Sequence, residues 1–252
     1  MNHLRRCNVN AGAEYIDGIL QLVEKLKANI EPLNQSAQLI TDAIEAGRTL
    51  HVFGTGHSHM LAEELFYRAG GLACVNPILE EGLMLHRSAV QSTELERLEG
   101  LASIILKQQS PQEGDVIIIA SNSGRNAVNI EMALAAKASG LKVIAITSLN
   151  HAGASSSRHS SGKRLHEVSD VVIDNYGCIG DASVEIPGLP IKVSPTSTVL
   201  GACIANAIVA EVVMLLMKRG FTPELFASSN MDGGDEHNRR LLAKYKGVVR
   251  SL

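Results

Sequence analysis

The sequence lacks an excess of charge of either sign. Its 252 residues include 23 basic and 26 acidic side chains, a formal net charge of −3, and no dense run of lysine and arginine. Proteins that grip nucleic acid usually carry such a basic stripe. We therefore expect no nucleic-acid partner.

Paired cysteines and a secretion signal are also missing. The four cysteines, Cys7, Cys74, Cys178 and Cys203, are scattered singly with no C-x-x-C motif, which is typical of reduced thiols in a cytoplasm. The amino terminus has no apolar run of the kind found in a signal peptide. Both observations favour a cytoplasmic location.

Long apolar runs are rare. One stands out, "VLGACIANAIVAEVVMLLM" over 199–217, and only Asn206 and Glu211 interrupt it. A carboxylate near the middle of a bilayer costs about 2.5–3.5 kcal/mol, and no other segment supports a membrane topology. The run is therefore predicted to be a buried helix of a large core or of a subunit interface, and no membrane partner is expected.

The sequence does contain alternating helical and strand patterns. Apolar residues at steps of three and four predict two antiparallel helices, over 13–30 and up to Gly47. Two of the later apolar runs are β-branched without polar alternation, as in strands covered by helices on both faces. Strands are predicted at 49–53, 72–77, 115–120, 142–147 and 170–174, and helices between them at about 57–69, 95–109 and 126–139. This order predicts a doubly wound parallel sheet, and the serine-rich stretch at 155–164 is interpreted as a mobile loop.

Three polar loops fall where such a sheet binds ligands, beyond the carboxyl ends of strands and before helix N-termini. They are "GTGHSH" at 54–59, "SNSGRN" at 121–126 and "SPTST" at 194–198. The first is not a dinucleotide fingerprint, because His59 replaces the third glycine, and it lacks the lysine of a P-loop. Each loop alone is compatible with simple helix capping, but three together indicate a phosphorylated ligand. The candidate contacts are Gly54, Gly56, His57, Ser58, Ser121, Asn122, Ser123, Gly124, Arg125, Asn126, Ser194, Thr196, Ser197 and Thr198.

The histidines do not form a metal motif in the sequence. His57 and His59 are two residues apart and do not share a helical face, and no histidine pair has a carboxylate at the usual spacing. We therefore expect neither a metal site nor a cofactor.

The three loops together carry a family resemblance. "GTGHSHMLAEE", "IIIASNSGRNAVNIEMALAAKASGLKVIAITS" and "SPTSTVLG" resemble the sugar isomerase (SIS) domain over about residues 45–218. The first loop with "AEEL" resembles phosphoheptose isomerase, and "SPTSTVLG" is similar to other branches, including the N-acetylmuramic acid 6-phosphate etherases. The resemblance implies a three-layer α/β/α sandwich around a five-stranded parallel, flavodoxin-like sheet, a phosphosugar ligand, and a homodimer or homotetramer. Since no repeat or domain boundary is visible, one SIS domain is expected over 1–252, with helices at 1–47, the α/β core at 48–218 and an extension at 219–252.

The resemblance also assigns roles to particular residues. Ser121 and Ser123 match the phosphate-binding hydroxyls of the family, Gly124 matches the turn glycine, and Asn126 stands where many members carry threonine. Ser58 matches the serine of the first loop. Glu64 matches the catalytic glutamate of phosphoheptose isomerase, although its spacing from Ser58 is shorter by about one helical turn.

These matches imply a reaction on a sugar phosphate. Aldose–ketose isomerisation passes through an enediol and needs a base poised near neutral pH, for which Glu64 is the first candidate. Phosphoheptose isomerase carries a histidine on its last long helix, whereas 199–217 contains none. Glu81, His86 and His237 are therefore the further catalytic candidates. A lyase or etherase and a non-catalytic phosphosugar-binding regulator remain alternatives.

Overall fold

The computed structural model describes residues 10–252; residues 1–9, and Cys7 with them, lie outside this range. Five parallel strands form a sheet of order β2-β1-β3-β4-β5, and two short antiparallel strands form a separate hairpin. The strands are β1 Leu50–Gly54, β2 Val75–Ile78, β3 Val116–Ala120, β4 Lys142–Thr147, β5 Val171–Asp174, β6 Ala182–Val184 and β7 Val193–Pro195. The helices are α1 Ala11–Ala28, α2 Glu31–Glu45, α3 Met60–Leu65, α4 Ala89–Leu95, α5 Leu101–Gln108, α6 Ala127–Ala138, α7 Leu149–Gly153, α8 Leu165–Val168, α9 Ser197–Lys218 and α10 Gly234–Tyr245.

The two amino-terminal helices form as the apolar spacing predicts. Asn10 caps α1, because its side chain accepts the N–H of Ala13 at 3.1 Å. Pro32 lies in the first turn of α2, where the missing N–H costs nothing since the first-turn N–H groups have no partner within a helix.

Alternate residues of the central strands face two separate layers of core, so the fold is a three-layer α/β/α sandwich. Val52, Ile118 and Ile144 pack with α2, α3 and α9 on one face. Phe53, Ile119 and Ala145 pack with α5, α6 and α8 on the other. This arrangement confirms the predicted doubly wound sheet and explains why its strands read as continuous apolar runs.

Helix α9 is the long apolar run noted in the sequence. Within residues 10–252 it is the one helix that passes a length and composition test for a membrane span, and 44% of its most apolar window is buried in the fold. Leu200, Ile204, Ile208 and Val212 are buried against the sheet. The predicted core role is therefore confirmed for one face of α9, while Val199, Met214 and Met217 on the other face are exposed.

A buried polar cluster closes the amino-terminal edge of the sheet. The Nε2 atom of His51 lies 3.1 Å from the Asp115 carboxylate, and Asn76 donates to His51 Nδ1 at 3.0 Å. Burial raises the pKa of Asp115, but hydrogen bonds from His51 and from the N–H groups of Thr49 and Gln112 outweigh it and leave the pKa below its usual value. The cluster lies at the opposite end of the strands from the three loops.

Several boundaries differ from the sequence predictions. The helix predicted at 57–69 is a 3-10 turn followed by α3, and it ends at Leu65 because Phe66 and Tyr67 leave helical geometry. The helix predicted at 95–109 is α5, which starts only after Gly100 in the left-handed conformation. The sequence analysis missed the short helices α4, α7 and α8, the β6–β7 hairpin and α10.

Candidate functional site

The loops after β1 and β3 lie side by side at the point where the strand order reverses. Gly54 stands opposite Ala120 in the β1–β3 pairing, so the two loops begin at the same level. Parallel sheets bind ligands at this switch point. A small pocket opens here, lined by Ser58, Leu61, Ala120, Ser121, Asn122, Ile146, Asn175, Ser197, Thr198 and Gly201.

The first loop is shaped by two glycines. A Cβ on Gly54 would lie 2.5 Å from the Ser58 carbonyl oxygen, and Gly56 adopts a φ of +55°. The N–H of Ser58 donates to the Thr55 carbonyl at 3.0 Å. The turn thus brings Ser58 to the pocket, and neither glycine can be replaced without strain.

The second loop is held from beneath by neighbouring strands. The Ser121 hydroxyl accepts the Gly124 N–H at 3.3 Å, and the Asn122 side chain accepts from Asn175 at 2.9 Å. Gly124 has a φ of +57°, and an added Cβ would lie 3.3 Å from Leu165 Cβ. These contacts fix the loop in a tight turn ahead of α6.

This turn leaves a row of donors without acceptors; Ser123 and Arg125 are partly exposed, whereas Asn126 and Ala127 are buried. Among residues 10–252, no acceptor receives the backbone N–H of Ser123, Arg125, Asn126 or Ala127, or the hydroxyl of Ser123. The loop also leads into the positive end of the α6 dipole. Unpaired N–H groups at a helix N-terminus are an arrangement that binds oxyanions.

The third loop differs from the other two because an internal carboxylate already lies there. Asp181 accepts the N–H groups of Thr196 and Ser197 at 3.1 and 2.9 Å, together with both side-chain hydroxyls. The predicted donors at the start of α9 are therefore largely satisfied within the chain, although Ser197 and Thr198 still line the pocket. Ser194 lies in the β6–β7 hairpin, outside the pocket lining.

Glu64 lies on α3, one turn beyond the pocket residue Leu61. Its carboxylate pairs with Arg68 and accepts from the Asn206 amide at 2.7 Å, and its side chain is 31% exposed. Asn206 is on α9, the helix whose Gly201 faces Leu61. Glu64 therefore lies at the contact between α3 and α9, about one helical turn from the pocket residue Leu61.

The other catalytic candidates lie away from the pocket lining. Glu81 pairs with Arg87 at 3.2 Å on the exposed surface, and His86 is also exposed. The Nε2 atom of His237 donates to the Leu225 carbonyl at 2.8 Å. Leu225 forms a β-bridge with Leu72, which precedes the edge strand β2. His237 therefore lies near this edge of the sheet and not at the switch point between β1 and β3. Within this chain, the segment around His237 does not close over the pocket.

The end of the second loop, at Arg125 and Asn126, contacts Arg158 of the serine-rich segment. The Asn126 side chain is buried, and its Oδ1 accepts from the Arg158 guanidinium at 3.0 Å. Arg125 has a buried Nε atom with no acceptor among the described residues. Burial, and then the charges of Arg125 and Arg97, lower the pKa of Arg158.

The two histidines of the first loop differ in their surroundings. His57 is exposed, whereas His59 contacts the Gly56 carbonyl and lies 3.3 Å from Glu63.

A larger cleft of about 370 Å³ lies elsewhere, between α2 and α10. It contains Cys74, whose burial raises the pKa of the thiol to about 12. Its carboxylate, Glu224, is already bonded to Lys244 and Tyr245 at 2.6 and 2.7 Å. The switch-point pocket, with its unpaired donors, is therefore the better candidate for ligand binding.

The chain is an α/β protein with a polar pocket at the switch point of its sheet. The SIS domain family model matches residues 14–148, and the chain belongs to this family. It is similar to the UPF0309 proteins of Thermoanaerobacter pseudethanolicus, at 49% identity over 95% of this chain and 99% of that protein, and of Geobacillus kaustophilus, at 45% identity over 97% and 96%.

Two solved structures share the fold. The phosphoheptose isomerase of Francisella tularensis matches with a TM-score of 0.54 and 16% identity over 83% of this chain and 100% of that chain. The phosphoheptose isomerase of Neisseria gonorrhoeae matches with a TM-score of 0.51 and 18% identity over 80% and 94%. At these identities the comparison establishes the architecture only.

Two residues of the site were missed in the sequence. Asn175 follows β5, so the rule that ligands bind beyond strand ends would have included it. Asp181 carries no such signal, because it follows β5 by a loop whose path the sequence does not define.

Proposed function

We propose that the protein binds a phosphorylated sugar at the switch-point pocket and interconverts its aldose and ketose forms. The observation that carries the proposal is the set of unpaired donors between Ser123 and Ala127 at the start of α6, in a loop whose first residues, Ser121 and Asn122, line the pocket with Ser58. Charge-assisted hydrogen bonds from such donors to a phosphate are stronger than neutral ones. The cavity itself is small, about 10 Å³ against the roughly 300 Å³ or more of ordinary ligand sites, so the ligand would bind largely outside it, along the loops.

Glu64 is the proposed base. With the phosphate bound at the pocket, the sugar chain would extend along the contact between α3 and α9 toward the carboxylate of Glu64. Glu64 would take the proton from the carbon next to the carbonyl, giving an enediol, and return it to the neighbouring carbon. The Asn206 amide, which donates to Glu64 at 2.7 Å, would hold the carboxylate in position. His57 on the first loop is the proposed group for the hydroxyl proton.

A second function is favoured by the same contacts. Asn206 cannot act as a general acid or base, and Arg68 pairs with Glu64. These features fit a regulator that binds a phosphosugar without turning it over. In that case the pocket would still bind the phosphate, and Glu64 with its neighbours would only recognise the sugar.

A panel of substrates distinguishes an isomerase from a regulator that does not turn its ligand over. Phosphorylated ketoses, aldoses and amino sugars, together with N-acetylmuramate 6-phosphate, are incubated with the protein in deuterated water and followed by NMR. Deuterium at C1 or C2 of any member supports isomerisation, and release of lactate would assign the etherase instead. Thermal stabilisation by a phosphosugar without any turnover would support the regulator.

We further propose that the protein is a cytoplasmic homodimer or homotetramer. Val199, Met214 and Met217 on α9 are exposed, as are Ile16 and Leu20 on α1. An interface between subunits at these helices would bury the exposed apolar side chains and would also cover Glu64. Light scattering at several concentrations should show a dimer or larger, and a monomer throughout would contradict this part.

A further inference from the structure

The serine-rich segment, Ser155–Arg164, has a defined position despite its loop-like composition. The Glu99 carboxylate accepts the Ser160 N–H at 2.5 Å and the Ser160 hydroxyl at 2.8 Å. The Arg158 N–H donates to the Arg125 carbonyl at 2.8 Å. The segment thus packs over the turn between α4 and α5 and over the start of α6, in contrast to the mobile loop expected from the sequence.

A histidine of this segment reaches two carboxylates. The side chain of His159 is only 9% exposed, and its Nδ1 lies 2.7 Å from the Ser161 hydroxyl. Its Nε2 lies 3.7 Å from the Glu131 carboxylate, which is too long for a hydrogen bond. Each of Glu99, Glu131 and His159 offers one atom, and these atoms all lie within 4.8 Å of one another.

Hydrogen bonding alone leaves this arrangement incomplete. Within residues 10–252 the Nε2 atom of His159 has no hydrogen-bond partner, and leaving a polar atom of a side chain that is only 9% exposed without such a partner is costly. The carboxylates of Glu99 and Glu131 also repel each other at this separation. A divalent cation would relieve both costs, since ligand atoms around tetrahedral zinc are about 3.4 Å apart for bonds of about 2.0–2.1 Å.

We propose that Glu99, Glu131 and His159 form a binding site for a divalent transition-metal ion such as Zn²⁺. One imidazole nitrogen and two carboxylate oxygens suit such ions, and water would complete the coordination. In the free protein the Nδ1 atom of His159 accepts the Ser161 N–H at 3.2 Å. On metal binding through Nε2, the ring would instead carry its proton on Nδ1 and donate it to the Ser161 hydroxyl, 2.7 Å away. No sequence motif predicts this site, because its three ligands come from separate parts of the chain.

The site would fasten the serine-rich segment to the body of the protein. That segment also carries Arg158, which bonds to Asn126 at the start of α6. If the proposed phosphate binding is correct, the ion would support the phosphate loop from behind. The metal site itself does not depend on that function.

The test is a titration of the metal-free full-length protein with ZnCl₂, followed by calorimetry and by thermal unfolding. The wild type should bind one ion saturably and gain thermal stability. His159→Ala and Glu131→Gln should each weaken binding by at least about tenfold, the size of effect that even outer-shell changes produce. Glu131→Gln keeps an acceptor for the Gly100 N–H, which Glu131 now receives at 2.8 Å, so it should remain folded.

Two control variants separate the site from general surface binding. Glu94→Gln removes an exposed carboxylate from α4, and His151→Ala removes a histidine that bonds to the Gly180 N–H. Both should bind Zn²⁺ as the wild type does. The proposal is overturned if the wild type shows no saturable binding, or if the folded His159→Ala and Glu131→Gln variants bind as tightly as the controls.

Discussion

Replacing Gly54 by alanine tests whether the shape of the first loop sets ligand binding. The new Cβ would lie 2.5 Å from the Ser58 carbonyl oxygen, 2.6 Å from its carbonyl carbon and 3.0 Å from the His59 nitrogen. All three neighbours are backbone atoms, so no side chain can rotate away. Ordinary contacts of this kind begin near 3.4 Å, and the turn at Ser58 must therefore retreat by about 0.9 Å.

The displacement gives the size of the expected effect. Overpacking of this kind costs about 1–3 kcal/mol of stability. It also moves Ser58 away from the ligand by enough to lose one hydrogen bond to a charged group, worth about 1.5–3 kcal/mol. Since about 1.4 kcal/mol corresponds to a tenfold change, the affinity for a phosphosugar should fall by about 10- to 100-fold.

The assay is calorimetric binding of the tightest phosphosugar from the panel, with unfolding measured on the same samples. Gly56→Ala is the matched control, because its Cβ would meet nothing within 4 Å and only the φ of +55° is strained. That strain costs about 1–2 kcal/mol, so stability should fall with little change in affinity. The reasoning is refuted if Gly54→Ala binds like the wild type, or if Gly56→Ala loses as much affinity.

Three further predictions concern single side chains. Ser123→Ala should weaken binding of a phosphosugar by about tenfold and leave binding of its dephosphorylated parent unchanged, because it removes one donor to the phosphate; calorimetry with both ligands would show equal losses if the loop does not hold phosphate. Glu64→Gln should lower kcat by at least about 100-fold with little change in binding, and turnover at the wild-type rate would exclude Glu64 as the base. The lowered pKa of Asp115 means that its carboxylate stabilises the fold above its unfolded pKa of about 3.9 and loses this effect as the pH falls through the lower folded value. Asp115→Asn should cost about 1–3 kcal/mol near neutral pH and flatten the fall in stability below about pH 4; an acid unfolding profile as steep as the wild type would contradict this.

The order of strands and the main helices could be predicted from the sequence because the signals are local. The apolar run of Lys142–Thr147 predicts a buried strand of the same bounds, and Gly140 in the left-handed conformation ends the helix before it. The turn from Ser121 to Asn126 ahead of a helix was also visible from its glycine and hydroxyl residues, and phosphate binding by this loop stays a prediction.

Features that depend on distant residues could not be predicted in the same way. Asp181 occupies the start of α9 only because the hairpin before it folds back, and His159 meets Glu99 and Glu131 only because the serine-rich segment lies across two helices. His237 was considered for the site on its composition, yet its contact with Leu225 places it at the other edge of the sheet. In each case the deciding contact joins residues far apart in the chain, which periodicity and spacing do not report.

The central claim is that the phosphate of a sugar binds the donors between Ser123 and Ala127. The most direct measurement is an amide NMR titration of the isotope-labelled protein with the tightest phosphosugar from the panel and, separately, with its dephosphorylated parent. The account predicts large shifts of the Ser123, Arg125, Asn126 and Ala127 amides with the phosphorylated sugar, and small ones with the parent. It is contradicted if these amides stay still while the protein binds the phosphosugar elsewhere, for example at the cleft beside Lys244.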